Sequence, residues 1–168
     1  MLLSSDTPVG ISKSMGLAHI SFTEAFQELR PDMIVVLGDR YEILCAVNVA
    51  MIARIPIAHI HGGEATEGLI DEAIRHSITK MSHLHFTATE KYKNRVIQLG
   101  ENPNRVFNVG GIGIENIKKL KLLSKIDFEI ALDIKLDKKN ILVTYHPVTL
   151  EMNTAKTQFN ELLECIDK

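Results

Sequence analysis

The sequence predicts an α/β protein built on a parallel sheet, on two observations. Short, continuous apolar runs recur, each followed by a helical pattern, as expected for strands buried on both faces of a parallel sheet. Polar clusters follow several of these runs, at the carboxyl edge where open parallel sheets hold their ligands. These clusters are "GDR" (38–40), "HIHGGE" (59–64) and "YHPVT" (145–149).

The elements read in order as follows. The opening "MLLSSDTPVGISKSMG" carries no strand pattern and reads as a loop and the start of a helix. "MIVVL" (33–37) is the first strand, and Tyr41 to Ala53 a buried helix. Its apolar run from Ile43 to Ala53 is interrupted by Asn48 and falls far short of the ~20 residues that span a bilayer. "IPIAHI" (55–60) is the second strand, and the next helix runs from about Asp71 to Ser82. "LHFTAT" (84–89) ends on Thr89, an N-cap for the helix "EKYKNRVIQLG", which Gly100 closes. "VFNVG" (106–110) is the fourth strand. After Gly113 the composition becomes lysine-rich and strandless until "ILVTYH" (141–146), followed by one helix from Met152 to Ile166. One strand and one helix do not bury each other as an independent domain, so a crossing into a second domain is expected, with the chain cut at both ends.

A chain of 168 residues with 45% hydrophobic content can bury one core, and a net charge of −2 made of interspersed charges offers no basic stripe for nucleic acid or a membrane surface. Two cysteines, Cys45 and Cys165, make no disulfide framework, and no signal-peptide pattern precedes them, so a cytoplasmic protein is expected. Cys45 lies in the apolar helix and reads as a small hydrophobe.

The chemistry concentrates in "AHIHGGEATEGLIDEAIRH" (58–76). Helical spacing puts Asp71, Arg75 and Ser82 on one face with Ile74 and Ile78, and Glu72, His76 and Lys80 on another that reads as a solvated surface. Asp71 and Arg75 read either as functional groups or as an intrahelical ion pair. Strand alternation places His59 and His61 on one side, where Asp39 or Asp71 would complete a metal site. His83 and His85 repeat the His-x-His spacing, and His59, His83 and His85 read equally well as buried histidines bonded to backbone. Gly62 and Gly63 permit close backbone approach to a ligand, but neither GxxxxGK[ST] nor GxGxxG is present, which excludes a P-loop.

"VVLGDRYEILCA", "IPIAHIHGGEATEGLIDEAIRHSITKMSHLHF" and "ILVTYHPVT" together resemble the hydrolysing, sialic-acid-type branch of the UDP-N-acetylglucosamine 2-epimerase family. The resemblance implies a GT-B-like pair of Rossmann-like domains with a UDP-sugar between them, no metal and no nicotinamide, and a homo-oligomer. It implies elimination of UDP with loss of the C2 proton, then hydration with inversion at C2. Residues 1–115 would be the C-terminal portion of the first domain, 116–139 the crossing, and 140–168 the start of the UDP-binding domain. Asp39, Glu64, Asp71 and His146 fall on catalytic positions, with His146 near the leaving UDP. Arg40, His61, Gly62, Gly63 and Arg75 fall on substrate-binding ones, Arg75 facing the phosphates. The chain departs from many relatives at His61, where they carry glutamate, so the acid/base role is open between His61 and Glu64. Two other readings remain: a metal-dependent hydrolase on Asp39, His59 and His61, and a non-catalytic nucleotide-sugar-binding fragment.

Overall fold

The computed structural model describes residues 7–146 and 154–167. They form two compact units, Met1–Gly111 and Ile112–Lys168.

The first unit begins with α1 (Pro8–Leu29), whose N-terminus is set by Thr7: its hydroxyl accepts from Gly10 N at 3.1 Å, and Pro8 supplies a preset φ in the first turn. Four strands alternating with three helices follow: β1 (Ile34–Leu37), α2 (Tyr41–Ile52), β2 (Ile57–Ile60), α3 (Asp71–Met81), β3 (Leu84–Thr87), α4 (Glu90–Gln98) and β4 (Val106–Asn108). The sheet is parallel throughout, in the order β1-β2-β3-β4. Thr89 caps α4 as expected, its hydroxyl accepting from Tyr92 N at 3.3 Å.

The core is Val47, Ala50, Ile57 and Ile78, where α2 and α3 cover β1 and β2. Small buried residues on α1, Ser14 and Ala18, let it lie against α2, where Asn48 meets His19 at 3.2 Å. The Cys45 thiol donates to Met15 O in the same seam, and burial pushes its pKa up, as suits a packing residue.

Coverage of both sheet faces is not what the structure shows. Consecutive parallel strands joined by right-handed crossovers put the connecting helices on one side. Val35, Leu37 and Phe107 point to the other side and are 65%, 53% and 43% exposed.

The second unit contains α5 (Ile112–Lys119), α6 (Lys125–Leu132) and α7 (Ala155–Ile166). Ser124 caps α6, accepting from Asp127 N at 3.2 Å. The expected strand 141–146 is irregular: the described residues of this unit offer no strand to pair with, and Ile141 and Leu142 are 76% and 94% exposed. Tyr145 instead packs on Phe159 of α7, its hydroxyl bonding Gln158 at 2.8 Å. Residues 147–149 of the "HPVT" segment lie outside the described residues, as do the first residues of the helix expected from Met152.

Candidate active site

The polar groups gather at the carboxyl ends of β1 and β2. β1 runs into Gly38 and Asp39, and β2 stops at Ile60 because His61 takes a left-handed backbone, φ 65°. That turn breaks the alternation expected of His59 and His61, and the two side chains part. His59 is fully buried: Nε2–H donates to Gly38 O at 2.9 Å, and Thr79 Oγ1 pairs with Nδ1 at 3.2 Å. Burial pushes its pKa down to about 4, so the ring is neutral. With both nitrogens engaged it has none left for a metal, which removes it from the proposed Asp39–His59–His61 set. Among the described residues no group of three such side chains could hold a metal ion.

His61 turns toward Glu64, its Nδ1 2.8 Å from Oε1, while its Nε2 is buried without a partner. Glu64 presents its other oxygen to Arg75, with Nη1 to Oε2 at 2.8 Å. Arg75 sits on the buried face of α3, 7% exposed, and its Nη2 pairs with Asp39 Oδ2. Nη1 also reaches the His61 carbonyl at 3.3 Å. Burial opposes the charge on Arg75, and Asp39 and Glu64 outweigh it, so its pKa is raised. The intrahelical Asp71–Arg75 pair is not formed: Arg75 joins the two strand-end carboxylates instead.

Asp71 stands in the first turn of α3, where the helix dipole favours a carboxylate, half-buried and outside the Arg75 cluster. Arg40 is exposed and bonds Glu42 at 3.2 Å through both Nε and Nη2; that carboxylate holds its charge, with Asp71 adding a weaker attraction. Glu72 accepts from Thr66 N at 3.1 Å and tethers the loop before α3. His146 belongs to the second unit and is exposed.

The two glycines meet the protein itself. A Cβ on Gly62 would stand 3.1 Å from both His59 Nδ1 and Thr79 Oγ1. Gly63 has φ +80°, and a Cβ there would collide with Tyr92 O and lie 2.9 Å from Val96 Cγ2. Arg95 Nη1 then donates to Gly63 O at 2.5 Å, so α4 clamps the turn from below. Sequence reasoning missed Thr79 and Arg95. Thr79 was findable as a polar residue beside Ile78 on the buried stripe of α3; Arg95 had no signal, since its partner is a backbone carbonyl of a distant loop.

The fold and site thus define an α/β protein with a carboxylate-guanidinium cluster at the ligand edge of a parallel sheet. The sequence model of UDP-N-acetylglucosamine 2-epimerase matches residues 1–168, and the chain belongs to that family. It is 48% identical over 167 residues to a Campylobacter jejuni protein described as GDP/UDP-N,N'-diacetylbacillosamine 2-epimerase (hydrolyzing), covering 99% of this chain and 44% of that protein. A Legionella pneumophila UDP-N,N'-diacetylbacillosamine 2-epimerase (hydrolyzing) is 40% identical over 154 residues, 92% of this chain and 41% of that one. The chain therefore spans less than half the length of these relatives. Among solved structures, Methanocaldococcus jannaschii UDP-GlcNAc 2-epimerase in complex with UDP-GlcNAc and UDP superposes with a TM-score of 0.59 at 28% identity, covering 64% of this chain and 29% of that one. Such neighbours are GT-B-like. No described helix of the present chain is long and apolar enough to cross a membrane.

Proposed function

We propose that the chain is the central part of a cytoplasmic, homo-oligomeric, hydrolysing nucleotide-sugar 2-epimerase, with residues 1–115 in the first domain, 116–139 as the crossing and 140–168 opening the UDP-binding domain. The substrate is a UDP-linked 2,4-diacetamido-2,4,6-trideoxyhexose. What carries the reading is the gathering of Asp39, Glu64 and Arg75 at the sheet's ligand edge, in a chain 48% and 40% identical to proteins named for that reaction. UDP-GlcNAc is the second candidate, favoured by relatives named for it at 29% to 33% identity.

In the reaction the C2 proton passes to a base while the C1–O bond breaks and its electron pair leaves with UDP, giving a C1=C2 glycal. Water then adds to C1 and a proton to the opposite face of C2, releasing the free 2-epimer. Asp39, Glu64 and Asp71 are the carboxylates for these transfers. Asp71, outside the cluster, has the freest carboxylate, and His146 and Arg40 serve the departing diphosphate. Supplying the complete enzyme with each sugar nucleotide and following UDP release tests the assignment. The diacetamido substrate is expected to be turned over with the higher kcat/KM; an epimerised sugar still attached to UDP, or no UDP released from either, would refute it.

A further inference from the structure

Resting on that reading of the site, we infer that Arg75 is a positioning residue that fixes Asp39 and Glu64 relative to each other, and that the nucleotide is held by other groups. Arg75 is 7% exposed, and each terminal nitrogen donates to a carboxylate, Nη2 to Asp39 and Nη1 to Glu64 at 2.8 Å, while Nε is buried away from solvent without a partner. A diphosphate approaching those nitrogens would meet two carboxylates already in place, and like charges repel at such range. The three partners arrive from separate segments: Asp39 from the turn after β1, Glu64 from the turn after β2, Arg75 from α3. A planar, forked donor holds two carboxylates at a fixed spacing; a lysine ammonium is a compact point charge on a flexible stem and sets that spacing poorly. The same fork takes the carbonyl of His61 at 3.3 Å, anchoring the one residue of the turn whose left-handed backbone is costly for a side chain larger than glycine. Arg75 itself cannot wander, because its neighbours Ile78 and Thr79 on α3 are fully buried. Its work is therefore geometric: it keeps two groups that act at the sugar in register across two strand ends.

The test separates positioning from phosphate contact. In the complete enzyme, Arg75→Lys keeps the charge and loses the fork; kcat is expected to fall about 100-fold, as for misplacement of reacting groups by an ångström. KM and the Kd for UDP, measured by calorimetry, are expected to stay within about threefold, since uniform binding is untouched. Arg75→Ala should regain kcat when guanidinium is added at millimolar concentration, and wild type should not respond. Melting curves confirm that the variants fold, and Arg75→Lys carries the test if Arg75→Ala does not. A tenfold or larger rise in KM and in UDP Kd with kcat preserved would overturn the inference in favour of phosphate contact, and so would an Arg75→Lys enzyme of unchanged kcat. A wild-type enzyme that releases no UDP refutes the functional reading instead; the UDP affinity of Arg75→Lys then still decides whether Arg75 holds the nucleotide.

Discussion

Acidification should weaken the protein through His59 by an amount that can be worked out. In the unfolded chain the ring titrates near 6.5; folded, burial holds it near 4, with His85 and Arg75 opposing its charge and the Gly38 carbonyl and Asp39 favouring it. Between these values the unfolded state binds a proton that the folded state refuses, so stability is full above about pH 6.5 and declines as pH falls toward 4. A gap of about 2.5 units corresponds to about 3 kcal/mol. Urea denaturation of wild type and His59→Gln from pH 7.5 to 4 isolates this contribution, because every other titrating group is common to both. Glutamine leaves part of the Gly38 and Thr79 bonding unmade, so the variant should be weaker at neutral pH, by about 1–3 kcal/mol. Its deficit should close or reverse on acidification. Parallel loss of stability in the two proteins would refute a neutral His59 as the prop under the "GDR" turn.

Two glycines separate torsional strain from collision. Gly38→Ala meets nothing within 4 Å and bears only the cost of φ +83°, about 1 kcal/mol, whereas Gly63→Ala adds the clash with Tyr92 and Val96 and should cost about 3 kcal/mol or more, read as denaturation midpoints. Asp71→Asn should abolish turnover with the melting temperature nearly unchanged, while Asp39→Asn should lose both, because it breaks a charge-assisted bond to a buried cation worth about 1.5–3 kcal/mol. Because both nitrogens of His59 are occupied, EDTA treatment should leave activity intact and elemental analysis should find no stoichiometric metal; chelator-dependent loss restored by zinc would revive the hydrolase reading.

Local patterns made the first unit legible. All four of its strands and the helices between them are readable because the strands carry short apolar runs, the helices an apolar run or stripe, and caps such as Thr89 and Gly100 punctuate them. The strand expected at 141–146 failed because an apolar run becomes a strand only beside a partner, and sequence alone does not say whether one is present. At the site, the residue types were legible and the pairings were not. Asp39 and Arg75 lie thirty-six positions apart, and helical spacing pointed to Asp71 as the partner of Arg75. The alternation of the second strand carries one residue too far, to His61, because nothing in its neighbours announces a left-handed histidine; only the two glycines after it hint that the chain turns there.

The reaction run in deuterated water, with the sugar product examined by NMR, tests the epimerase account most directly. Elimination and hydration at the Asp39–Glu64–Asp71 site must place solvent deuterium at C2 of a free, 2-epimeric sugar and release one UDP for each turnover. A product with protium at C2 and unchanged configuration would show that UDP is lost by simple hydrolysis, and would contradict the account at its centre.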